Sequence, residues 1–216
     1  MVDIKDCLDK AMEKTLKFYE TNFKELKDNL KKLTSPYHPY VFWNESDFRT
    51  ALVFNLTKEL REGYIIHTEV NMRKNSFIEE KNELGELEEV WRNAIESIIQ
   101  YKKKILGQKR PRAGDIDIVI TGRGKLPIED TLPFRMCIEV KYYHYDPRNF
   151  KRDINRELVQ IKALEILKEY GLTDDISVII GYRKEIDFIK KLKEELSNKN
   201  YVKFIYFGNK GCTDRI

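Results

Sequence analysis

The sequence predicts an α/β protein in which helices flank a central β-sheet. Long segments carry apolar residues at every third or fourth position, which is typical of amphipathic helices. Short runs rich in β-branched and aromatic residues lie between them, as expected for strands. Helical and strand-like segments alternate through the second half of the chain, and this order favours a sheet with helices packed on it.

Length and composition restrict the class of protein. The chain has 216 residues, a length that suits one domain with additions. With 41% hydrophobic and 35% charged residues, it is expected to be soluble and globular rather than disordered. Its net charge is only +4, but a nucleic-acid partner stays possible because the distribution of charge decides binding.

The cysteines and the hydropathy pattern indicate a cytoplasmic protein. Cys7, Cys137 and Cys212 are few, odd in number and far apart. They favour neither a disulfide framework nor a cysteine zinc site, and a reducing compartment fits best. The chain has no apolar run approaching ~20 residues and its first residues lack the apolar core of a signal peptide, so we expect no membrane partner.

The first predicted element is an amphipathic helix over residues 1–36, which Pro36 ends. Two interpretations are open for its apolar face. The helix packs on its own domain, or it pairs with a second chain through a seam from Tyr19 to Leu33, where the spacing is close to a heptad repeat.

The remaining elements follow in order up to the end of the chain. Asn44 or Ser46 is expected to cap a second helix that runs to about Arg61, and Gly63 closes it. The elements predicted after it are a strand at 64–72, a helix at 79–105, strands at 115–120 and 134–143, a helix at 152–170, a strand at 176–182, a helix at 185–197 and a strand at 201–208.

Two of these strands carry charged residues among apolar ones. Alternation along a strand places Glu139 and Lys141 on one face, with Val140 between them on the other. Asp115 and Asp117 are expected to share a face in the preceding strand in the same way. Charged groups at such positions are costly unless a partner satisfies them.

Two explanations account for these charges. Glu139 and Lys141 could form a structural ion pair at a sheet edge. If the two strands pair, carboxylates and an ammonium converge instead on one side of the sheet, opposite Ile116, Ile118 and Ile120. Such oxygen ligands suit Mg²⁺ or Mn²⁺.

The two motifs resemble the PD-(D/E)XK nuclease superfamily, which has the restriction-endonuclease-like fold. They are the segments 114–120 and 137–141, and the resemblance covers roughly residues 44–182. The chain departs from the literal motif because Ile116, not proline, precedes Asp117. The resemblance implies a mixed central β-sheet flanked by helices in a nuclease-like domain at 40–216. The N-terminal helical extension at 1–36 and a helical insertion at about 79–110 fall outside the resemblance.

The resemblance also implies roles for individual residues. Asp117 and Glu139 would bind the metal, with the carbonyl of Val140 and a shared Asp115 as further ligands, and Lys141 would position the attacking water. The first core helix would contribute an additional acid, Glu45, for which Glu69 is the rival. Gln160 resembles a polar helical residue that some members place beside the site.

By this resemblance, the function would be metal-dependent hydrolysis of phosphodiester bonds in DNA, by an endonuclease of defence, repair or recombination that uses Mg²⁺ (or Mn²⁺). A homodimer would be the simplest way to cut both strands of a duplex, because two-fold symmetry is the commonest in oligomers. The alternative is a catalytically silent nucleic-acid-binding or assembly protein on the same fold.

Basic residues on both sides of the two motifs would contact DNA. The tyrosines between them could contact unstacked bases, or they could simply pack in the sheet. The residues expected at this interface are Lys102, Lys103, Lys104, Lys109, Arg110, Arg112, Tyr142, Tyr143, Arg148, Lys151, Arg152 and Arg156.

Overall fold

A computed structural model describes residues 3–32, 41–42, 44–60, 63–72, 85–122, 132–143 and 150–207, with helix side chains up to residue 26 in the first helix and from residue 88 in the third. The elements are α1 (Ile4–Lys32), α2 (Glu45–Glu59), β1 (Tyr64–Asn71), α3 (Gly85–Leu106), β2 (Asp115–Gly122), β3 (Met136–Tyr143), α4 (Phe150–Glu169), β4 (Ile176–Tyr182), α5 (Asp187–Glu195) and β5 (Val202–Tyr206). The α/β class and the predicted order of elements are confirmed. Most element ends lie within two or three residues of the predicted ones.

The five strands form one mixed sheet in the order β1-β2-β3-β4-β5. Strands β1, β2 and β3 pair antiparallel, whereas β3, β4 and β5 pair parallel. The parallel pair β3–β4 is joined through α4, as a parallel connection requires a crossover. The mixed sheet expected from the sequence is therefore present.

Helices cover both faces of the sheet and bury a core on each. On one face, α3 and α4 pack through residues such as Trp91 and Leu167 against Val119 and Cys137. On the other face, α1 and α2 pack on Ile118, Ile138 and Val140. The described side chains of α3 therefore contribute to this core; of the insertion predicted at about 79–110, residues 79–84 lie outside the described part of the chain.

Helix α1 packs on its own domain. Its buried side chains Leu8, Met12, Leu16 and Tyr19 join the core beneath α2. Burying each large apolar side chain stabilises the fold by about 1.5–3 kcal/mol. Tyr19, the first residue of the predicted dimer seam, is therefore buried in the core of its own chain. The side chains of Leu30 and Leu33 lie outside the described residues. Among the described residues, no helix has the length and apolar character needed to cross a membrane.

Strands β1 and β2 share a break in their pairing. The β1–β2 pairs run without interruption to Thr68–Ile118 and resume at Val70–Ile116, so Glu69 and Asp117 are left out. Glu69 has a φ of +56°, in the left-handed region that side chains other than glycine rarely adopt.

The break changes which face the flanking side chains occupy. Ile116 belongs to the core under α3, whereas Ile118 and Ile120 belong to the core under α1 and α2. The expectation that these three isoleucines share one face is therefore wrong, because regular alternation stops at Asp117. The irregular backbone places Asp117 where it contacts both a neighbouring strand and a helix.

Candidate active site

The site lies where strands β2 and β3 part. The recorded pairs of this ladder run from Ile120–Met136 to Ile118–Ile138, and Asp117 and Glu139 come next on the two strands. Asp117 then links the strands through its side chain, because its Oδ2 accepts a hydrogen bond of 2.8 Å from the Val140 backbone N–H.

Lys141 brings the charged residues of the two motifs together. Its Nζ lies 2.7 Å from Glu139 Oε1 and 3.7 Å from Asp117 Oδ2. All three residues are buried, with 9% of Asp117, 4% of Glu139 and 9% of Lys141 exposed. Such burial is tolerated only because the charges compensate one another.

The protonation of this cluster follows from its burial. Burial raises the pKa of Glu139 to about 7; the Lys141 ammonium opposes the rise, and the nearby carboxylates of Asp117 and Glu157 add to it. Burial alone would lower the pKa of Lys141, but Glu139 and the other carboxylates outweigh it and raise the pKa. Lys141 is therefore a fixed ammonium, whereas Glu139 titrates near neutrality.

Glu45 reaches the same ammonium from the start of α2. Asn44 caps this helix by accepting a hydrogen bond of 3.0 Å from the Asp47 N–H, as one of the two expected caps. Glu45 Oε1 lies 3.5 Å from Lys141 Nζ, and burial raises the pKa of Glu45. The structure therefore places Glu45, rather than Glu69, beside Lys141.

Arg49 joins the rival acid to the site. Its Nη1 donates a hydrogen bond of 2.6 Å to Asp117 Oδ1, and its Nη2 lies 2.5 Å from Glu69 Oε1. Arg49 is absent from the residues that the sequence predicts for the site. The signal available was its position four residues after Glu45, which puts both side chains on one side of α2.

Glu157 of α4 is a second residue that the sequence does not single out. Burial raises its pKa, and Lys141 and Tyr143 oppose that rise. The buried hydroxyl of Tyr143 lies near the Glu157 carboxylate, and burial together with that carboxylate raises the pKa of Tyr143. Glu157 precedes Gln160 by three residues, so both lie on the same side of the helix.

Asp115 lies apart from this cluster. It is exposed, and its Oδ1 accepts a hydrogen bond of 2.5 Å from Asn71 Nδ2. Within the described part of the chain, the carboxylates within 4 Å of Lys141 Nζ are those of Glu45, Asp117 and Glu139.

An open cleft of about 430 Å³ begins at Lys141 and Glu45 and is lined by Glu157 and Gln160. An adjoining cleft of about 400 Å³ shares its wall at Leu106, Gln108 and Arg156. Both lie between the end of α3 and the start of α4. The predicted basic residues that line them are Lys102, Arg112, Lys151, Arg152 and Arg156.

The other predicted contacts of nucleic acid have different placements. Lys103 and Lys104 are exposed in the last turn of α3, Lys109 and Arg110 are exposed just after it, and Arg148 lies outside the described residues. Tyr143 lines the cleft, but Tyr142 is buried on the opposite face against the rings of Phe48 and Phe207. Tyr142 lies two residues after Val140, and alternation along the strand therefore places both side chains on the same face, in the core. Tyr142 is thus not one of the residues that can contact nucleic acid in the cleft.

The donor set fits a hard divalent cation. Four carboxyl groups, those of Glu45, Asp117, Glu139 and Glu157, act on Lys141, and their number exceeds the positive charge that Lys141 and Arg49 supply. Asp117 and Glu139 would hold the cation, because carboxylate oxygens are the ligands that Mg²⁺ and Mn²⁺ prefer. In the present arrangement the described residues contain no group of three or more His, Cys, Asp or Glu side chains placed to hold a metal.

The chain was also compared with known proteins. No protein-family model matches it, and neither curated proteins nor solved structures give a significant match.

Proposed function

We propose that the protein is a metal-dependent endonuclease that hydrolyses phosphodiester bonds in DNA with Mg²⁺ or Mn²⁺. The observation that supports this best is the buried cluster of Asp117, Glu139 and Lys141, which opens into a cleft with basic walls. A buried set of charges with perturbed pKa values beside a cleft is typical of a functional site. The proposal includes the restriction-endonuclease-like fold, which the mixed sheet supports at the level of its general class.

Hydrolysis needs a placed water, and the charge that develops on the phosphate must be stabilised. A divalent cation held by Asp117 and Glu139 would supply Lewis-acid polarisation of the phosphate. The Lys141 ammonium, fixed by three carboxylates, would orient the attacking water and donate to a phosphate oxygen. Glu45, within reach of the same ammonium, would accept a hydrogen bond from that water.

The cleft would bind the rest of the DNA strand. Arg112, in the segment after α3, and Arg156, on α4, both line the cleft that begins at Lys141. Lys102 lies deeper and donates a hydrogen bond to the Ala113 carbonyl. Cations of this kind contact the phosphate backbone regardless of sequence.

The test is cleavage of supercoiled plasmid, linear duplex and single-stranded DNA by the purified chain with Mg²⁺, Mn²⁺ or EDTA. Glu139→Gln and Lys141→Met should each lower the cleavage rate roughly 10²-fold or more. Lys162→Met is the matched control, because Lys162 forms ion pairs with Glu165 and Glu169 on α4, away from Lys141. Full activity in EDTA, or in Glu139→Gln, would contradict the proposal.

A DNA-binding protein that does not cut is the second candidate. It is favoured by one observation: both carboxylate oxygens of Asp117 already have partners, Arg49 and the Val140 N–H. Salt-dependent DNA binding without cleavage in either metal would establish this alternative.

A further inference from the structure

We propose that Arg49 is a built-in competitor of the divalent cation at Asp117, and that Glu69 holds Arg49 when the cation displaces it. This inference rests on the metal site of the proposed function. In this inference Arg49 and Glu69, neither of which is proposed here as a metal ligand, control how tightly the metal binds.

The contacts of Asp117 determine what a cation has to displace. Oδ1 accepts the hydrogen bond of 2.6 Å from Arg49, and Oδ2 accepts that of 2.8 Å from the Val140 backbone. The second bond joins β2 to β3 at the end of their ladder, so losing it would cost part of the strand pairing. The guanidinium is a side chain that can move, and its place on Oδ1 is the one that a cation can take.

Arg49 and Asp117 are also mutually shielded from water. The side chain of Arg49 is 14% exposed and that of Asp117 is 12% exposed. Opposite charges in such a setting are screened weakly, so the ion pair opposes any second cation at the same carboxylate. The competition is therefore both steric, at Oδ1, and electrostatic.

Glu69 provides the second position for the guanidinium. Its Oε1 lies 2.5 Å from Arg49 Nη2, whereas its side chain is 64% exposed and faces solvent. The break in β1 places Glu69 across from Asp117, so Arg49 lies between two carboxylates. When Asp117 turns to the metal, Arg49 keeps a charged partner without crossing the site.

This arrangement predicts opposite effects for two neighbouring residues. Arg49→Met removes the competitor and should tighten binding of Mn²⁺ by about tenfold or more, as expected for a weakly screened ion pair. Glu69→Gln removes the partner of the displaced guanidinium and should weaken binding about twofold to fivefold, because an exposed ion pair contributes little. In the double variant the Glu69 effect should vanish, since Glu69 acts only through Arg49.

The experiment is calorimetric titration of the full chain with Mn²⁺ at fixed pH and ionic strength, with thermal unfolding to confirm that each variant is folded. Arg92→Met is the matched control, because Arg92 pairs with Glu88 on the exposed side of α3 and should leave the affinity unchanged. Asp117→Asn identifies the site by abolishing binding. Should Arg49→Met not fold, Arg49→Lys keeps one charge but cannot bridge two carboxylates, and its affinity should still exceed that of the wild type.

The outcomes separate this inference from the proposed function. If Asp117-dependent binding is present but removing or shortening Arg49 leaves it unchanged or weaker, the competitor role is wrong and the metal site stands. If Glu69→Gln weakens binding equally without Arg49, Glu69 is itself a ligand and the inference is overturned. If wild type and variants all fail to bind Mn²⁺, both the inference and the metal-dependent function are wrong.

Discussion

Asp117 is tied to Val140 by a hydrogen bond of 2.8 Å that closes the end of the β2–β3 ladder from a side chain instead of a backbone carbonyl. A carboxylate of the candidate site is thus also a structural link between strands. Substitutions at this position combine a chemical and a mechanical effect, and the choice of replacement separates the two.

Asp117→Ala should abolish cleavage and destabilise the protein by about 1–3 kcal/mol, because the buried Val140 N–H loses its acceptor. Asp117→Asn should also abolish cleavage but cost less, since the amide oxygen can still accept that hydrogen bond. Urea denaturation measures the difference, and Asp115→Asn serves as the control because Asp115 is exposed. Equal stabilities for the Ala and Asn variants would show that the link to Val140 contributes nothing.

Stability without metal should fall as the pH rises from about 4.5 to about 7. The folded pKa of Glu139 is raised to about 7 from its ordinary value of 4.5, so in this window the unfolded chain releases a proton that the folded chain retains. The contribution is complete below the unfolded value and is lost above the folded one. Glu139→Gln should therefore flatten the profile by on the order of 2 kcal/mol between pH 5 and pH 8.

Denaturation in EDTA at a series of pH values tests that prediction. Burial raises the pKa of Glu45 and of Glu157 as well, so some slope of the same sign should persist in the variant. A Gln variant with the same slope as the wild type would mean that Glu139 is ionised throughout.

Exposed cations on the cleft walls should govern the salt dependence of DNA binding. Replacing Lys151, Arg112 and Arg156 together by Gln should reduce the salt slope by roughly 0.9 for each lost phosphate contact on duplex DNA. Fluorescence anisotropy at several salt concentrations measures the slope. The matched control removes the same charge elsewhere, with Lys162, Lys190 and Lys191 changed to Gln; an equal effect of both triples would place the DNA outside the cleft.

The homodimer expected from the sequence remains a prediction. The packing of α1 on its own chain reduces the part of this helix that a second copy could contact. Tyr19 is buried within its own chain, so Tyr19→Ala should destabilise the fold by about 3–5 kcal/mol whatever the oligomeric state. Leu26 is 38% exposed on the same helix. If a second copy docks there, Leu26→Glu should halve the mass seen by light scattering without unfolding the chain. If light scattering gives the wild-type protein the mass of a single chain, the dimer prediction is wrong.

The cluster of Asp117, Glu139 and Lys141 could be predicted because it depends on local rules. Two short strands close in sequence tend to pair, and alternation then fixes which side chains meet. Tyr142 follows the same rule, since the neighbour of Lys141 along the strand must face the opposite core.

Arg49 and Glu157 could not be placed in this way. Each lies on a helix, and which side of a helix faces the site depends on how the whole helix packs. The break at Glu69 and Asp117 could not be predicted either, because the sequences of both strands are compatible with regular alternation.

That break has a consequence for strand register. A regular antiparallel pair can slip by two residues and still keep each side chain on its face. In β1 and β2 the faces exchange at one point on each strand, so a slip of any length would bring the two irregular positions out of step and bury the wrong side chains. The break therefore fixes the position of Asp117 along β2 relative to β1 and β3, so an irregularity in the sheet defines where this carboxylate of the candidate site lies.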